Sequence, residues 1–223
     1  MGYYLAFDGV NDYVTTGLRA TSEASNANLE VDFWANSGEA GQQELINGEG
    51  GGQITLNRNG LGIITLFYRL SNSWVGLDSP SPITFDERHV VKSTYSGVTG
   101  DVEMIIDGVV VATTSGTGGN IGSLFDYIIG AKAANALGDF PFSGRIYSAT
   151  VEVNGTTYTY DPSASGGTGS VLPDTTGSKS GTLVNFPTDD SQWVFYSTGP
   201  ETPINPSVTS LLATSARLNW EQG

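Results

Sequence analysis

The sequence predicts an all-β fold, an antiparallel sandwich of two sheets, and three observations lead to this prediction. Runs of alternating apolar and polar residues recur about every ten residues. The chain has 30 glycines among its 223 residues, and turn-forming residues separate the runs. No stretch shows the periodicity of an amphipathic helix of three turns. Many short strands that each bury one face close most naturally as two packed sheets.

The first strand signal is the run LAFDGVNDYV at residues 5–14. It joins two apolar segments through an Asp-Gly turn, in which glycine supplies a positive φ. The next strand signal is the alternating segment at residues 29–35. Its period of two places Glu30, Asp32 and Trp34 on one face and the apolar residues on the opposite, buried face.

Three hairpins and one further strand are predicted downstream. The hairpins pair residues 53–56 with 63–69, 89–95 with 102–106, and 148–153 with 156–160. The Asp107-Gly108 dipeptide is a strong turn signal, and it leads into a strand at residues 109–113.

Composition excludes several classes of protein. Nine Lys and Arg against 23 Asp and Glu give a net charge of −14, which disfavours binding to nucleic acid or anionic lipid. The absence of cysteine excludes disulfides and thiolate chemistry. No apolar run approaches the length of a membrane span, and the first residues lack a signal-peptide pattern. We therefore expect any export to use another route, or the protein to leave the cell inside a particle.

Six segments, taken in order, resemble the laminin G-like, concanavalin A-like jelly-roll domains. They are FDGVNDY at 7–13, EVDFWANS at 30–37, RHVVKSTYSG at 88–97, IIDGVVV at 105–111, IIGAKAA at 128–134 and FPFSGRIYSATV at 140–151. The match covers about residues 3–160 and departs from the family pattern at Phe85-Asp86, where a Trp often stands. The resemblance implies a jelly roll whose loops bind sugars or partners, often with Ca²⁺, and much less often carry an active site.

Catalysis is not expected. Glu30-Val31-Asp32 resembles the start of the E-x-D-x-x-E run of jelly-roll glucanases, but the third acid is missing. Retaining glycosidases need two carboxyl groups about 5 to 5.5 Å apart. His89 is the only histidine, and no serine or aspartate stands in a triad pattern with it.

The candidate Ca²⁺ ligands implied by the resemblance are Asp8, Asn11, Asp12 and Asp107, with Asp139 as a further possibility. Ca²⁺ takes six to eight oxygen ligands, and carboxylates and amides supply them. The alternative is that these residues only stabilise turns, because Asp8 and Asp107 each precede a glycine.

The candidate sugar-binding residues are Trp34, Tyr68 and Trp74. Exposed aromatic rings stack on the apolar faces of sugars, while a few polar groups orient the hydroxyls. Trp34 shares a strand face with two acids, and the polar residues 71–73 before Trp74 indicate a loop. The alternative is that these rings belong to the core, where aromatic residues of a sandwich usually lie.

The domain prediction assigns residues 1–197 to the jelly roll, with a core at 3–160 and a tail at 161–197 that packs back on it. The tail resembles the endings of jelly-roll modules in phage and bacterial surface proteins. Residues 198–205 are rich in proline and read as a linker. Residues 206–223 resemble the first strands of a fibronectin type III domain, an Ig-like sandwich of about 100 residues.

Together these features favour a non-catalytic module on a virion or an extracellular surface. The preferred interpretation is a phage tail-fibre or decoration protein that binds host-surface carbohydrate and is present in several copies on one particle. One alternative is a purely architectural virion protein that contacts neighbouring capsid or tail subunits. A second is an accessory carbohydrate-binding module of a secreted polysaccharide-degrading enzyme.

Overall fold

A computed structural model describes residues 2–19, 26–39, 41–57, 61–70, 73–116, 118–122, 125–132, 139–153, 155–176 and 178–197. These residues form strands and one short 3₁₀ helix, Pro162–Ser165. The strands are β1 (Gly2–Asp8), β2 (Tyr13–Thr15), β3 (Asn26–Ala35), β4 (Gln43–Asn47), β5 (Gln53–Leu56), β6 (Ile64–Leu70), β7 (Ser73–Asp78), β8 (Arg88–Ser96), β9 (Val102–Ile106), β10 (Val109–Thr114), β11 (Ile128–Ile129), β12 (Ser143–Val153), β13 (Thr156–Tyr160), β14 (Val171–Leu172), β15 (Gly181–Val184) and β16 (Trp193–Tyr196).

The strands pair into two antiparallel sheets, which confirms the predicted fold class. Sheet A has the order β10-β9-β8-β3-β12-β1-β16, and β13 also pairs with β12. Sheet B has the order β14-β15-β2-β11-β4-β5-β6-β7. The first strand pairs with the long strand β12, with Leu5 opposite Ile146. Strands distant in sequence are therefore neighbours, as expected for a jelly roll.

The alternation predicted for β3 is confirmed, and it builds one side of the core. Leu29, Val31 and Phe33 are fully buried, whereas the intervening residues are only partly buried. From sheet B, Ile54 and Leu66 face the same core cluster. Each sheet thus turns its apolar face inward and its polar face to solvent.

All predicted hairpins form. Strand β5 pairs with β6, β8 with β9, β9 with β10, and β12 with β13. Both Asp-Gly turns have the positive glycine φ that the turn signal requires, 77° at Gly9 and 80° at Gly108. Strand β4 was not predicted from the sequence, because all five of its residues are buried and it lacks alternation. A β-bulge between Glu44 and Ile46 interrupts its register with β5.

The segment after residue 160 adds strands to both sheets. Strands β14 and β15 extend sheet B beside β2, and β16 extends sheet A beside β1. The predicted linker and fibronectin type III strands, residues 198–223, lie outside the described residues. Within the described part of the chain, no helix has the length and apolar character of a membrane span.

Candidate functional site

The outer face of sheet B carries a groove of about 420 Å³. We call it the sheet B groove; its lining residues are Gln42, Glu44, Asn47, Glu49, Gln53, Phe67, Trp74, Lys132 and Phe140. They come from four neighbouring strands, β4 to β7, and from the segments around residues 132 and 140. The volume lies in the usual range for a small-molecule or oligosaccharide site.

Strand register explains why these side chains share one face. Asn47 pairs with Gln53, and Gln53 pairs with Phe67, so the three form a row across β4, β5 and β6. Their strand neighbours Ile54 and Leu66 point into the core. Because successive strand residues alternate between faces, the row points outward.

An aromatic pair forms one wall of the groove. Trp74 lies on the edge strand β7 and is 49% exposed. Its ring meets the ring of Phe67 edge-on, with the centroids 6.4 Å apart. Phe67 therefore supports the Trp74 ring while leaving much of it open to solvent.

A buried carboxyl group lies at the floor of the groove. Glu44 is only 2% exposed and accepts hydrogen bonds from Thr55 Oγ1 and Gln42 Nε2, each at 2.8 Å. Burial raises the pKa of Glu44, and hydrogen bonds from Thr55, Gln42 and Asn47 act in the opposite direction. Glu44 is thus a fixed hydrogen-bonding group at the base of a groove that has both polar and aromatic lining residues.

Lys132 and Phe140 form the opposite wall. The carbonyl oxygen of Phe140 accepts the backbone N–H of Glu44 at 3.0 Å, which holds this segment beside β4. The Phe140 side chain is 38% exposed, and Lys132 Nζ lies 5.4 Å from the centre of its ring. The two walls therefore present aromatic surface on both sides of a polar floor.

The predicted sugar-binding residues are separated by the fold. Trp74 lies in the sheet B groove, as described above. Trp34 is half-buried on the outer face of sheet A, where the Arg145 guanidinium lies 4.9 Å from the ring centre. The prediction that Tyr68 offers a stacking face is wrong, because Tyr68 is fully buried. Its ring stacks on Tyr95 in the core, with the centroids 5.2 Å apart, and its hydroxyl contacts Ser93.

The candidate Ca²⁺ residues of the first turn bind backbone amides. Asp8 Oδ1 accepts the N–H groups of Val10 at 2.8 Å and Asn11 at 3.4 Å. Asp12 Oδ2 accepts the N–H of Asp8 at 3.0 Å. Asp12 is only 2% exposed, and burial raises its pKa to about 6. These are the contacts of turn-stabilising residues.

The structure does not bring Asp107 to the first turn, so the four candidates do not form one ligand set. Strand β9, which Asp107 follows, stands four strands from β1 in sheet A, or roughly 19 Å at the usual strand spacing. Asp107 instead lies 2.7 Å from His89 Nδ1 and accepts the N–H of Val90 at 2.8 Å. Asp139 is exposed, and its carbonyl oxygen accepts the backbone N–H of Lys132. Across the described ranges no group of three or more His, Asp or Glu is placed to hold a metal, and Ca²⁺ binding by the first turn stays a prediction.

The acids of β3 form ion pairs on the outer face of sheet A. Asp32 accepts two hydrogen bonds from Arg88, at 2.7 and 2.6 Å. Glu30 lies 3.9 Å from Lys92 Nζ. His89 is 9% exposed, and its Nε2 lies 2.9 Å from the carbonyl oxygen of Thr84. His89 thus joins the start of β8 to two turns, which is a structural arrangement.

Sequence reasoning missed Glu44, Lys132 and Phe140. Glu44 belongs to the bulged, fully buried strand that lacks the alternating pattern. Lys132 and Phe140 lie in a connecting segment, and backbone hydrogen bonds between distant residues bring them to the groove. The one available signal was a glutamate directly before two apolar residues, in QELIN at residues 43–47.

Comparison with known proteins supports the fold. No protein-family model matches the chain, and no curated protein matches it. A solved "putative carbohydrate binding protein" from Bacteroides ovatus superposes with a TM-score of 0.65 at 17% identity, over 82% of this chain and 58% of that protein. A heptameric SAP-like pentraxin from Limulus polyphemus gives 0.52 at 13% identity, over 67% and 75%.

The LG4-5 domains of the mouse laminin α1 chain give a TM-score of 0.50 at 12% identity, over 70% of this chain and 42% of that one. The chain thus spans about half the length of the laminin and Bacteroides structures. The fold and its groove define the class: an all-β, two-sheet antiparallel jelly roll. More particularly, this chain has the jelly-roll fold found in laminin LG domains and pentraxins.

Proposed function

We propose that this chain is a non-catalytic carbohydrate-binding module and that the glycan lies in the sheet B groove. One observation carries the proposal: the half-exposed ring of Trp74 stands at the rim of a groove whose floor is made of hydrogen-bonding groups. A sugar ring has apolar C–H faces and a polar edge of hydroxyls. It therefore matches a flat aromatic wall beside a polar floor.

The groove also limits the entropic cost of binding. Trp74 has only two side-chain torsions, and Phe67 already packs against its ring. Glu44 and Asn47 are each 2% exposed, so their side chains are fixed before a ligand arrives. The Bacteroides ovatus protein, which is described as carbohydrate-binding, shares the fold. Groups that are already fixed lower the entropic cost of binding a glycan.

Catalysis is not part of the proposal. The acids that resemble a glucanase motif, Glu30 and Asp32, are in ion pairs on sheet A, on the opposite side of the sandwich from the groove. Hydrolysis of a glycosidic bond needs two carboxyl groups flanking that bond. Of the two carboxyl groups in the groove, that of Glu44 already accepts hydrogen bonds from Gln42 and from Thr55 on β5, so Glu49 has no second free acid to act with.

The proposed setting is a virion or an extracellular surface, with the chain acting in a phage tail fibre or decoration protein. Its support is the resemblance of the tail and of residues 206–223 to modules of such proteins. A single shallow groove binds weakly, and several copies on one particle raise apparent affinity by a factor of roughly 10² to 10⁴. If the chain is instead an accessory module of a polysaccharide-degrading enzyme, the same groove would bind the glycan in a different assembly.

A glycan array tests the proposal, probed with monomeric and with multimerised protein, each with and without a chelator. The expected result is glycan retention by the multimer, abolished by Trp74→Ala and unaffected by the chelator. If neither form retains any glycan while a neighbouring virion protein binds the chain, the architectural alternative replaces this proposal. If the chelator abolishes retention, Ca²⁺ participates after all.

A further inference from the structure

The charges in the sheet B groove are unbalanced. Its lining residues include two carboxylates, Glu44 and Glu49, and one ammonium group, Lys132. The whole chain carries a net charge of −14, so its overall field adds to the repulsion of an anionic ligand. The charge that a ligand meets therefore depends on how these three groups interact.

Lys132 is already engaged by the protein. Its positive charge acts on Glu44 and lowers the pKa of that carboxyl, against the larger effect of burial. Its Nζ atom also lies 5.4 Å from the centre of the Phe140 ring. The ammonium group thus offsets the charge of Glu44 rather than standing free for an anionic ligand.

Glu49 forms no ion pair with any residue that the structure describes. Its backbone N–H donates to Asn47 Oδ1 at 3.0 Å, and its φ of 24° fixes the residue in a turn directly after β4. Its Oε2 atom is buried and lacks a hydrogen-bond donor among the residues that the structure describes. The groove therefore contains a carboxylate whose need for donors is unmet.

We infer that the glycan is built from uncharged, hydroxyl-bearing sugars, and that Glu44 and Glu49 select against uronic acids. This inference rests on the proposed function of the groove. A sugar hydroxyl donates a charge-assisted hydrogen bond to a carboxylate, so a neutral ring that reaches the Glu49 carboxyl group gains a hydrogen bond. A uronate brings a further negative charge into a partly dehydrated site, where two carboxylates repel it.

The sharpest test uses one polysaccharide in two forms, a native polyuronate and the same chain after chemical reduction of its carboxyl groups. The backbone, linkage and length are then identical, and only C6 differs. Wild-type protein is expected to bind the reduced, neutral form at least about tenfold more tightly at 0.15 M salt. Raising the salt concentration should narrow the difference, because it is electrostatic.

Two variants assign the selectivity to the groove. Glu49→Gln and Glu44→Gln each remove one negative charge while keeping an acceptor oxygen, and each should reduce the preference at least about threefold. The matched control is Glu30→Gln, which removes the same charge from the outer face of sheet A. It should leave the preference unchanged. Thermal melting shows whether each variant is folded.

The outcomes separate the two proposals. Binding that depends on Trp74 but favours the polyuronate overturns this inference and leaves the proposed function standing. An unchanged preference in both groove variants, or an equal loss in Glu30→Gln, also overturns it. Failure to bind a neutral glycan of any kind overturns the proposed function, and this inference falls with it.

Discussion

The rings of Trp74 and Phe67 meet at an interplanar angle of 88°, with their centroids 6.4 Å apart. This edge-to-face contact packs the exposed tryptophan of the edge strand β7 against the neighbouring strand β6. An edge strand is otherwise the least restrained part of a sheet. Phe67 is therefore a positioning residue for the aromatic wall of the groove.

Replacing Phe67 with leucine should weaken glycan binding severalfold while the fold survives. An edge-to-face ring pair contributes about 0.5 to 1.5 kcal/mol beyond its buried area, and leucine keeps apolar volume without the ring. Calorimetric titration of wild type and Phe67→Leu with the same glycan measures the difference. Unchanged affinity would show that Trp74 needs no support from Phe67.

Replacing Gly9 with alanine should destabilise the fold more than replacing Gly108. Both glycines have a positive φ, which costs an alanine about 1 to 2 kcal/mol. At Gly9 the added Cβ would also lie 2.8 Å from Ser143 Cβ, whereas at Gly108 it meets no atom within 4 Å. Urea denaturation of both variants measures the two losses. Equal losses in the free energy of unfolding would mean that Ser143 moves away from the added Cβ without destabilising the fold.

The ionised carboxyl group of Asp174 should stabilise the tail above pH 4, and this stabilisation should be lost in acid. Burial alone would raise its pKa, but hydrogen bonds from Thr176, Ser178 and Thr159 prevail and lower it to about 2. A folded pKa below the unfolded value of 3.8 stabilises the ionised form, so stability falls as pH drops from about 4 to about 2.

Asp174→Asn should lower the free energy of unfolding at pH 7 by on the order of 2 kcal/mol and flatten this acid dependence. Denaturant unfolding from pH 2 to 7 provides the measurement. The control is Asp139→Asn, which changes an exposed aspartate outside the tail. A variant as stable as wild type at pH 7 would contradict the account.

The pH dependence of stability that Asp12 contributes should have the opposite sign to that of Asp174. Burial raises its pKa to about 6, above the unfolded value of 3.8, so the folded state takes up a proton between pH 6 and pH 4. Stability therefore rises as pH falls through this range and is lowest above pH 6. Asp12→Asn should stabilise the protein at pH 7, by on the order of 1 to 3 kcal/mol, and the gain should vanish near pH 4.

At each pH, the difference in the free energy of unfolding between wild type and Asp12→Asn isolates the effect of Asp12, because the contributions of the other titrating groups cancel. A variant less stable than wild type at pH 7 would show that the ionised carboxylate has a partner. Repeating the measurement with added Ca²⁺ identifies that partner: stabilisation of wild type alone would restore the calcium expectation for this turn.

Most of the fold follows from local patterns. The alternation of residues 29–35 and the Asp-Gly turns act over a few residues, and each predicted the observed strand or hairpin. Strand β4 escaped prediction because burial on both faces removes the period of two. The wrong prediction for Tyr68 has a related cause. The sequence of β6 shows that its residues alternate between two faces, but it does not show which face points into the core.

The site was less predictable than the fold. Trp74 was a candidate because of its polar surroundings, but its partners in the groove come from segments as distant as Lys132 and Phe140. The resemblance implied Asp107 as a candidate Ca²⁺ ligand, whereas the fold places it against His89. Such contacts depend on the order of strands in each sheet, which a single sequence does not specify.

The most direct test of the carbohydrate-binding account is the affinity of three proteins for the best-bound neutral glycan of the array. These are the wild type, Trp74→Ala and Trp34→Ala, compared by calorimetric titration well below their melting temperatures. The two substitutions remove the same side chain from opposite faces of the sandwich. The account predicts at least about a tenfold loss for Trp74→Ala, because a central aromatic contact is removed, and less than about twofold for Trp34→Ala. Loss of affinity in Trp34→Ala, with Trp74→Ala unchanged, would contradict it.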